Sequence, residues 1–182
     1  MTRKEQLIQR SIRTGKPIRQ VAALPWQPHP GGTAILLVTS RRRSRLIIPK
    51  GWPMPRRSDP EAAGLEALQE AGVAGSVGPI PIGWFQTAKR HYLGLLRLVV
   101  EVYPLRVTEV LPFWKEYSQR RRVWVLLRAA APLVDDPGLA NLLADIAGRT
   151  VTYACPEGTV VRNNPSPGRL RRGCPSPDAP SR

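Results

Sequence analysis

Gly51-Trp-Pro-Met-Pro-Arg-Arg-Ser-Asp-Pro-Glu-Ala-Ala-Gly-Leu-Glu-Ala-Leu-Gln-Glu-Ala-Gly-Val73 is a glycine-led loop, a helix start and a short helix closed by a second glycine. Ser58 and Glu61 have the spacing of a capping box, and Asp59 and Pro60 suit a first turn. The helix then runs to Ala71 and stops at Gly72. Glu66, Gln69 and Glu70 are related by i,i+3 and i,i+4 and project from one helix face. Two carboxylates and an amide held there suit a hard divalent cation, which prefers oxygen ligands. Lys50, Arg56 and Arg57 lie around them, so the expected guest is an anion bridged by metal. By default a Glu pair at this spacing is a solvated and mildly repulsive helix face. Lys50-Gly51 before it and Gly72 after it set this pair apart.

The segment resembles the Nudix box, G-x5-E-x7-R-E-U-x-E-E-x-G-U, where U is aliphatic. Gly51 takes the first glycine, Glu66 the first helix glutamate, Ala67 the aliphatic, Glu70 the last glutamate, and Gly72 and Val73 the closing pair. Three positions depart: Arg57 stands for the loop glutamate, Leu65 for the arginine, and Gln69 for the first of the paired glutamates. Leu46-Ile47-Ile48 followed by Pro49-Lys50-Gly51-Trp52-Pro53 looks like the entry to the box in diphosphoinositol-polyphosphate and dinucleoside-polyphosphate hydrolases. The resemblance covers roughly Arg19 to Gly148.

It implies an α+β fold, the Nudix α/β/α sandwich with a mixed sheet. It also implies metal-dependent cleavage of a phosphoanhydride (pyrophosphate) bond in a nucleoside-diphosphate-linked or diphosphoinositol-type compound. Mg²⁺ or Mn²⁺ would be held by Glu66 and Glu70, with the Lys50 and Gly51 backbone completing the site. Glu66 and Gln69 fall at the catalytic positions. A Gln69 carbonyl can still face a metal but cannot take a proton. Loss of a general base costs about 10²–10⁴-fold in rate. Leu65 cannot pair with the helix glutamates, and Arg57 is the expected compensation. The alternative is a non-catalytic Nudix domain that binds a nucleotide or polyphosphate as a sensor.

The 182 residues suffice for one domain with a core, expected over residues 19–149. No apolar run reaches the length of a membrane span, and no secretory signal is expected at the N-terminus, so the plain expectation is a cytoplasmic protein. Cys155 and Cys174 have no metal-ligand spacing around them. Residues 1–18 read as a basic arm, with a short helix around Lys4–Ile12 as the other option. Residues 150–182 read as a disordered, basic, Pro-rich tail. Between them strands are expected at Val21–Leu24, Thr33–Ser40, Arg45–Pro49, Val77–Gln86, Leu93–Leu105 and Arg122–Leu126, with a final helix at Leu139–Ala147.

The net charge of +15 favours polyanions, and nonspecific nucleic-acid contact through the basic tails is the weaker reading. Arginine forks hold phosphates bidentately. The candidates for substrate phosphates are Arg41, Arg43 and Arg45, then Lys50 and Arg57, then Arg120, Arg121 and Arg122. Each run taken singly is more often a solvated hairpin tip. Glu101 and Glu116 are the candidate carboxylates outside the helix, and Trp124 reads as core.

Overall fold

The strand Ile18–His29 (β1) is the axis on which everything else is hung. The computed structural model describes residues 2–41 and 43–152. After a helix α1 (Arg3–Thr14) and β1 come β2 (Gly32–Thr39), β3 (Leu46–Ile47), β4 (Lys50–Gly51), α2 (Asp59–Ala71), β5 (Val73–Val77), β6 (Gly83–His91), β7 (Gly94–Val110), β8 (Arg122–Leu126) and α3 (Pro137–Thr152). They form one mixed eight-stranded sheet in the order β3-β2-β1-β7-β5, with β4 on β1, β6 on β7 and β8 on β2. The β1–β7 pair is parallel, from Ile18↔Leu98 to Trp26↔Arg106, and the other pairs are antiparallel.

Strand alternation sends neighbouring residues of β1 to opposite faces. Val21 and Ala23 pack with Ala62, Ala63, Ala67 and Ala71 of α2. Ala22 and Leu24 pack with Leu139, Leu142 and Leu143 of α3. The alanine face of α2 lets the helix approach the sheet closely, which brings its glutamates against β4. The α+β sandwich expected from the resemblance is therefore the fold.

Several elements differ from expectation. β1 does not close at Pro25 but runs to His29. Pro25 falls between Ala22, the last partner of β4, and Trp26, the first partner of β2, where no strand on that edge needs its N–H. The strand expected over Val77–Gln86 is replaced by two: β5 ends at Val77, and β6 begins at Gly83 and runs to His91. The N-terminal residues are not a free arm. Thr2 and Glu5 form a capping box, Gly15 closes α1 in the left-handed region, and Ile8 is buried against Leu96 and Leu98. The final helix reaches Thr152, past the expected boundary at 149, and the expected tail from 153 onward lies outside the described residues. No helix among the described residues is long and apolar enough to cross a membrane.

Candidate active site

Ser58 caps α2 through the Glu61 backbone N–H while the Glu61 carboxylate accepts from the Ser58 N–H at 2.7 Å. Gly72 ends the helix at φ +60°. Between these two stops the helix face carrying Glu66 and Glu70 is turned to the Lys50-Gly51 strand. A Cβ at Gly51 would stand 1.9 Å from Glu66 Oε1, so only glycine leaves room for that carboxylate. The Lys50 N–H donates to Glu70 Oε2 at 3.1 Å.

The segment between β7 and β8 covers the other side. Leu111 N–H donates to the Gly72 carbonyl at 2.8 Å, and Trp114 Nε1 donates to the Glu70 carbonyl at 3.1 Å. These bonds use helix-end carbonyls that α2 itself leaves free. Lys115 Nζ then reaches Gln69 Oε1 at 3.1 Å. Arg120, buried at 6% exposure, donates from Nη2 to Glu70 Oε1, from Nε to Glu116 Oε2 at 2.5 Å, and from Nη1 to the Thr39 carbonyl at 3.0 Å. Arg41 Nη1 stands 3.6 Å from the other Glu116 oxygen.

Sequence reasoning placed Glu66, Gln69, Glu70, Lys50 and Gly51 together; the structure sets Glu66 against Gly51 and Glu70 against Lys50, while the Gln69 amide accepts from Lys115. It left Glu116 as an unsupported candidate. The fold sets Glu116 close enough to raise the Glu66 and Glu70 carboxyls. Glu101 is elsewhere: its oxygens accept from Arg19 at 2.9 Å and from Tyr103 at 3.2 Å, and Arg19 also pairs with Asp59. That network ties β1 and β7 to the start of α2.

The basic residues divide. Arg57 is exposed at the N-terminal end of α2, where it acts on Glu61, and it does not compensate for Leu65. The compensating charge is Arg120, from 50 residues beyond Glu70. Arg120 and Arg122 were expected to meet substrate phosphate, and both are instead spent inside the protein. A buried guanidinium must be paired. Arg122 lies 4.1 Å over the Trp114 ring and donates to the Leu111 carbonyl at 3.0 Å. Arg45 pairs with Asp135 at 3.4 Å. Arg41, Arg43 and Arg121 present exposed side chains, and Arg41 is the one in reach of Glu116.

Charge at the site is uneven. Burial, then Glu70 and Glu116, push the Glu66 carboxyl above the usual carboxylate range. Glu66 has no hydrogen-bond or ion-pair partner among the described residues, although it is only half-exposed. Burial raises Glu70 as well, against the pull of Arg120 and the Lys50 N–H. Burial lowers the Lys50 ammonium, opposed by Glu70. Among the described residues no group of three or more His, Cys, Asp or Glu side chains is arranged to enclose a metal ion. The Arg120 guanidinium bonds both Glu70 and Glu116. Glu66, a crowded carboxylate with open oxygens, still fits a divalent cation.

No protein-family model matches the chain. Curated proteins do. It is 33% identical over 105 residues to Nudix hydrolase 12, mitochondrial, of Arabidopsis thaliana, covering 54% of this chain and 51% of that one. It is 30% identical over 108 residues to the rat (Rattus norvegicus) diphosphoinositol polyphosphate phosphohydrolase 2, covering 58% and 56%. The matched stretch thus spans about half the length of these relatives. Among solved structures, a NUDIX hydrolase from Nitrosomonas europaea superposes with a TM-score of 0.58 at 21% identity, over 74% of this chain and 90% of that one.

Proposed function

Since this chain belongs to the Nudix family, we propose that it hydrolyses a phosphoanhydride bond with the help of Mg²⁺ or Mn²⁺. Its substrate would be a nucleoside-diphosphate-linked or diphosphoinositol-type compound. The observation that carries this reading is Glu66: half-buried, without a hydrogen-bond or ion-pair partner among the described residues, seated on Gly51, and raised by burial and two neighbouring carboxylates. Such a site gains by taking up positive charge.

Glu66, with the Gly51 backbone beside it, would hold the divalent ion, and Glu70 one turn on would add negative charge to the site. When bound, that ion draws charge from the pyrophosphate and acidifies a coordinated water. The protein's own residues supply the rest. Gln69 cannot accept the proton of the attacking water. Glu116 is engaged by Arg120 and lies within reach of Arg41. Exposed Arg41, within reach of Glu116, is the arginine placed to attract the phosphates, and Lys115 donates to Gln69.

A screen of nucleoside diphosphate sugars, dinucleoside polyphosphates and inositol pyrophosphates with Mg²⁺ and Mn²⁺ tests the proposal. Chelator-sensitive turnover that Glu66→Gln abolishes is the expected result. Gln69→Glu should raise that turnover by about 10²-fold, the lower range for a regained base. The replacement of a box glutamate by Gln69 favours one second reading, a binding domain without turnover. Tight binding of one compound, with neither wild type nor Gln69→Glu cleaving it, would establish that reading.

A further inference from the structure

Glu66 and Glu70 are one helical turn apart, yet their surroundings differ. Glu70 is 8% exposed, and each of its oxygens has a donor: Arg120 Nη2 on one, the Lys50 N–H at 3.1 Å on the other. The Arg120 guanidinium serves acceptors from three places at once, Glu70 on α2, Glu116 four residues before it, and the Thr39 carbonyl at the end of β2. An arginine held this way is a permanent positive charge, since guanidinium does not deprotonate in proteins. Glu66 receives none of these donors.

We propose that Arg120 is a resident counter-cation of this site. It closes Glu70 and Glu116 and leaves Glu66 as the carboxylate with open oxygens, so guanidinium and divalent ion draw on the same negative charge. This rests on the divalent-ion reading of the preceding subsection. Three carboxylates with one buried guanidinium present two net negative charges to an incoming ion, and three without it. Ion pairs this close are strong in a partly buried setting, so the difference is large on the scale of an affinity. Leu65, directly before Glu66, puts no guanidinium on α2 itself, which leaves Arg120 as the buried cation on Glu70.

Calorimetric titration of the full chain with Mn²⁺, without substrate, tests this, with thermal unfolding of each metal-free variant alongside. Arg120→Met should bind Mn²⁺ at least tenfold more tightly than wild type, and Arg120→Lys should stay within about threefold. Glu70→Gln should weaken binding less than Glu66→Gln does. The Arg120→Met, Glu70→Gln double variant should return to near wild type, because one charge of each sign has gone. Weaker binding by a folded Arg120→Met would overturn the proposal and make Arg120 an organiser of ligands. Should Arg120→Met fail to fold, Glu70→Gln decides alone: a loss as deep as that of Glu66→Gln overturns it. Wild type silent and Arg120→Met binding would keep the counter-cation while sinking the metal reading. Silence from both would sink the two together.

Discussion

Glu66 carries a charge that the folded chain does not compensate, and this has a pH signature. Its carboxyl is raised by burial, then by Glu70 and Glu116, above the ordinary value of 4.5. A carboxyl with a folded pKa above its unfolded one favours folding while protonated. That contribution is complete below the unfolded value and is lost as pH rises through the folded one. Metal-free Glu66→Gln is therefore expected to be more stable than wild type at pH 7, and to lose its lead as pH falls below about 4.5. Like charges at i,i+4 cost roughly 0.2–0.5 kcal/mol, or at most about 2 °C in a chain of this size. Urea unfolding of both proteins at the two pH values measures it; an equal lead at both would show that ionisation is not the cause. Gly51→Ala separates function from stability at the same spot. The added Cβ meets the far end of a flexible side chain, Glu66 Oε1 at 1.9 Å, so the carboxylate can swing away at little cost to folding. Mn²⁺ affinity should drop tenfold or more while the unfolding midpoint moves by less than about 3 °C. Retained affinity would mean that Glu66 is not the ligand.

At the scale of elements, what was legible in the sequence is what neighbours in the chain decide. The Ser58–Glu61 box and the Gly72 stop are local chemistry, and the structure has α2 beginning and ending there. β5 was not legible because Gly75 and Ser76 are poor strand formers. Gly75 is needed all the same: a Cβ there would meet the Arg106 carbonyl at 1.9 Å, beside a register shift with β7. The Arg120–Glu70 pair was hidden for another reason, since 50 residues separate partners that only the sheet brings together. The local rule pointed instead to Arg57, which is near in sequence and at the wrong end of the helix. Gly72 joins the two kinds of information. Besides its positive φ, a Cβ on it would stand 2.7 Å from Trp114 Cβ and Cγ, where the 111–121 segment docks. Gly72→Ala is expected to cost about 1–3 kcal/mol from strain and displacement, and to disturb Lys115, Glu116 and Arg120 with it. A melting point lowered by roughly 3–10 °C together with changed Mn²⁺ binding would bear this out. Unchanged binding would show that the segment holds its place without the Trp114 contact.

For the molecule as a whole the question is how much of the N-terminal sequence belongs to the fold. Its charge, with Arg3, Lys4, Arg10, Arg13 and Lys16 in the first 18 residues, reads as a solvated arm. The apolar residues are few, so periodicity is weak and the choice between arm and helix could not be made from pattern. The structure decides it by packing: Ile8, Leu96 and Leu98 form a cluster of their own, with Ile12, Ile18 and Trp52 against it. Leu7, the other residue of the expected stripe, is 43% exposed, so Ile8 is the anchor. Ser11, 3% exposed, adds a bond from its hydroxyl to the Lys16 carbonyl at 2.6 Å, which turns the chain from α1 into β1. Trp52 follows Gly51 directly, so the docked helix also backs the loop that seats Glu66. Truncating a buried isoleucine to alanine costs about 2–5 kcal/mol, and a site near the rim, free to relax, falls at the low end. Ile8→Ala should accordingly lower the melting temperature by roughly 4–10 °C, and Leu7→Ala by less than about 2 °C. Scanning calorimetry on the two variants distinguishes the cases. Equal and small shifts would return residues 1–18 to the status of an arm, and with it the support that α1 lends to the Trp52 loop.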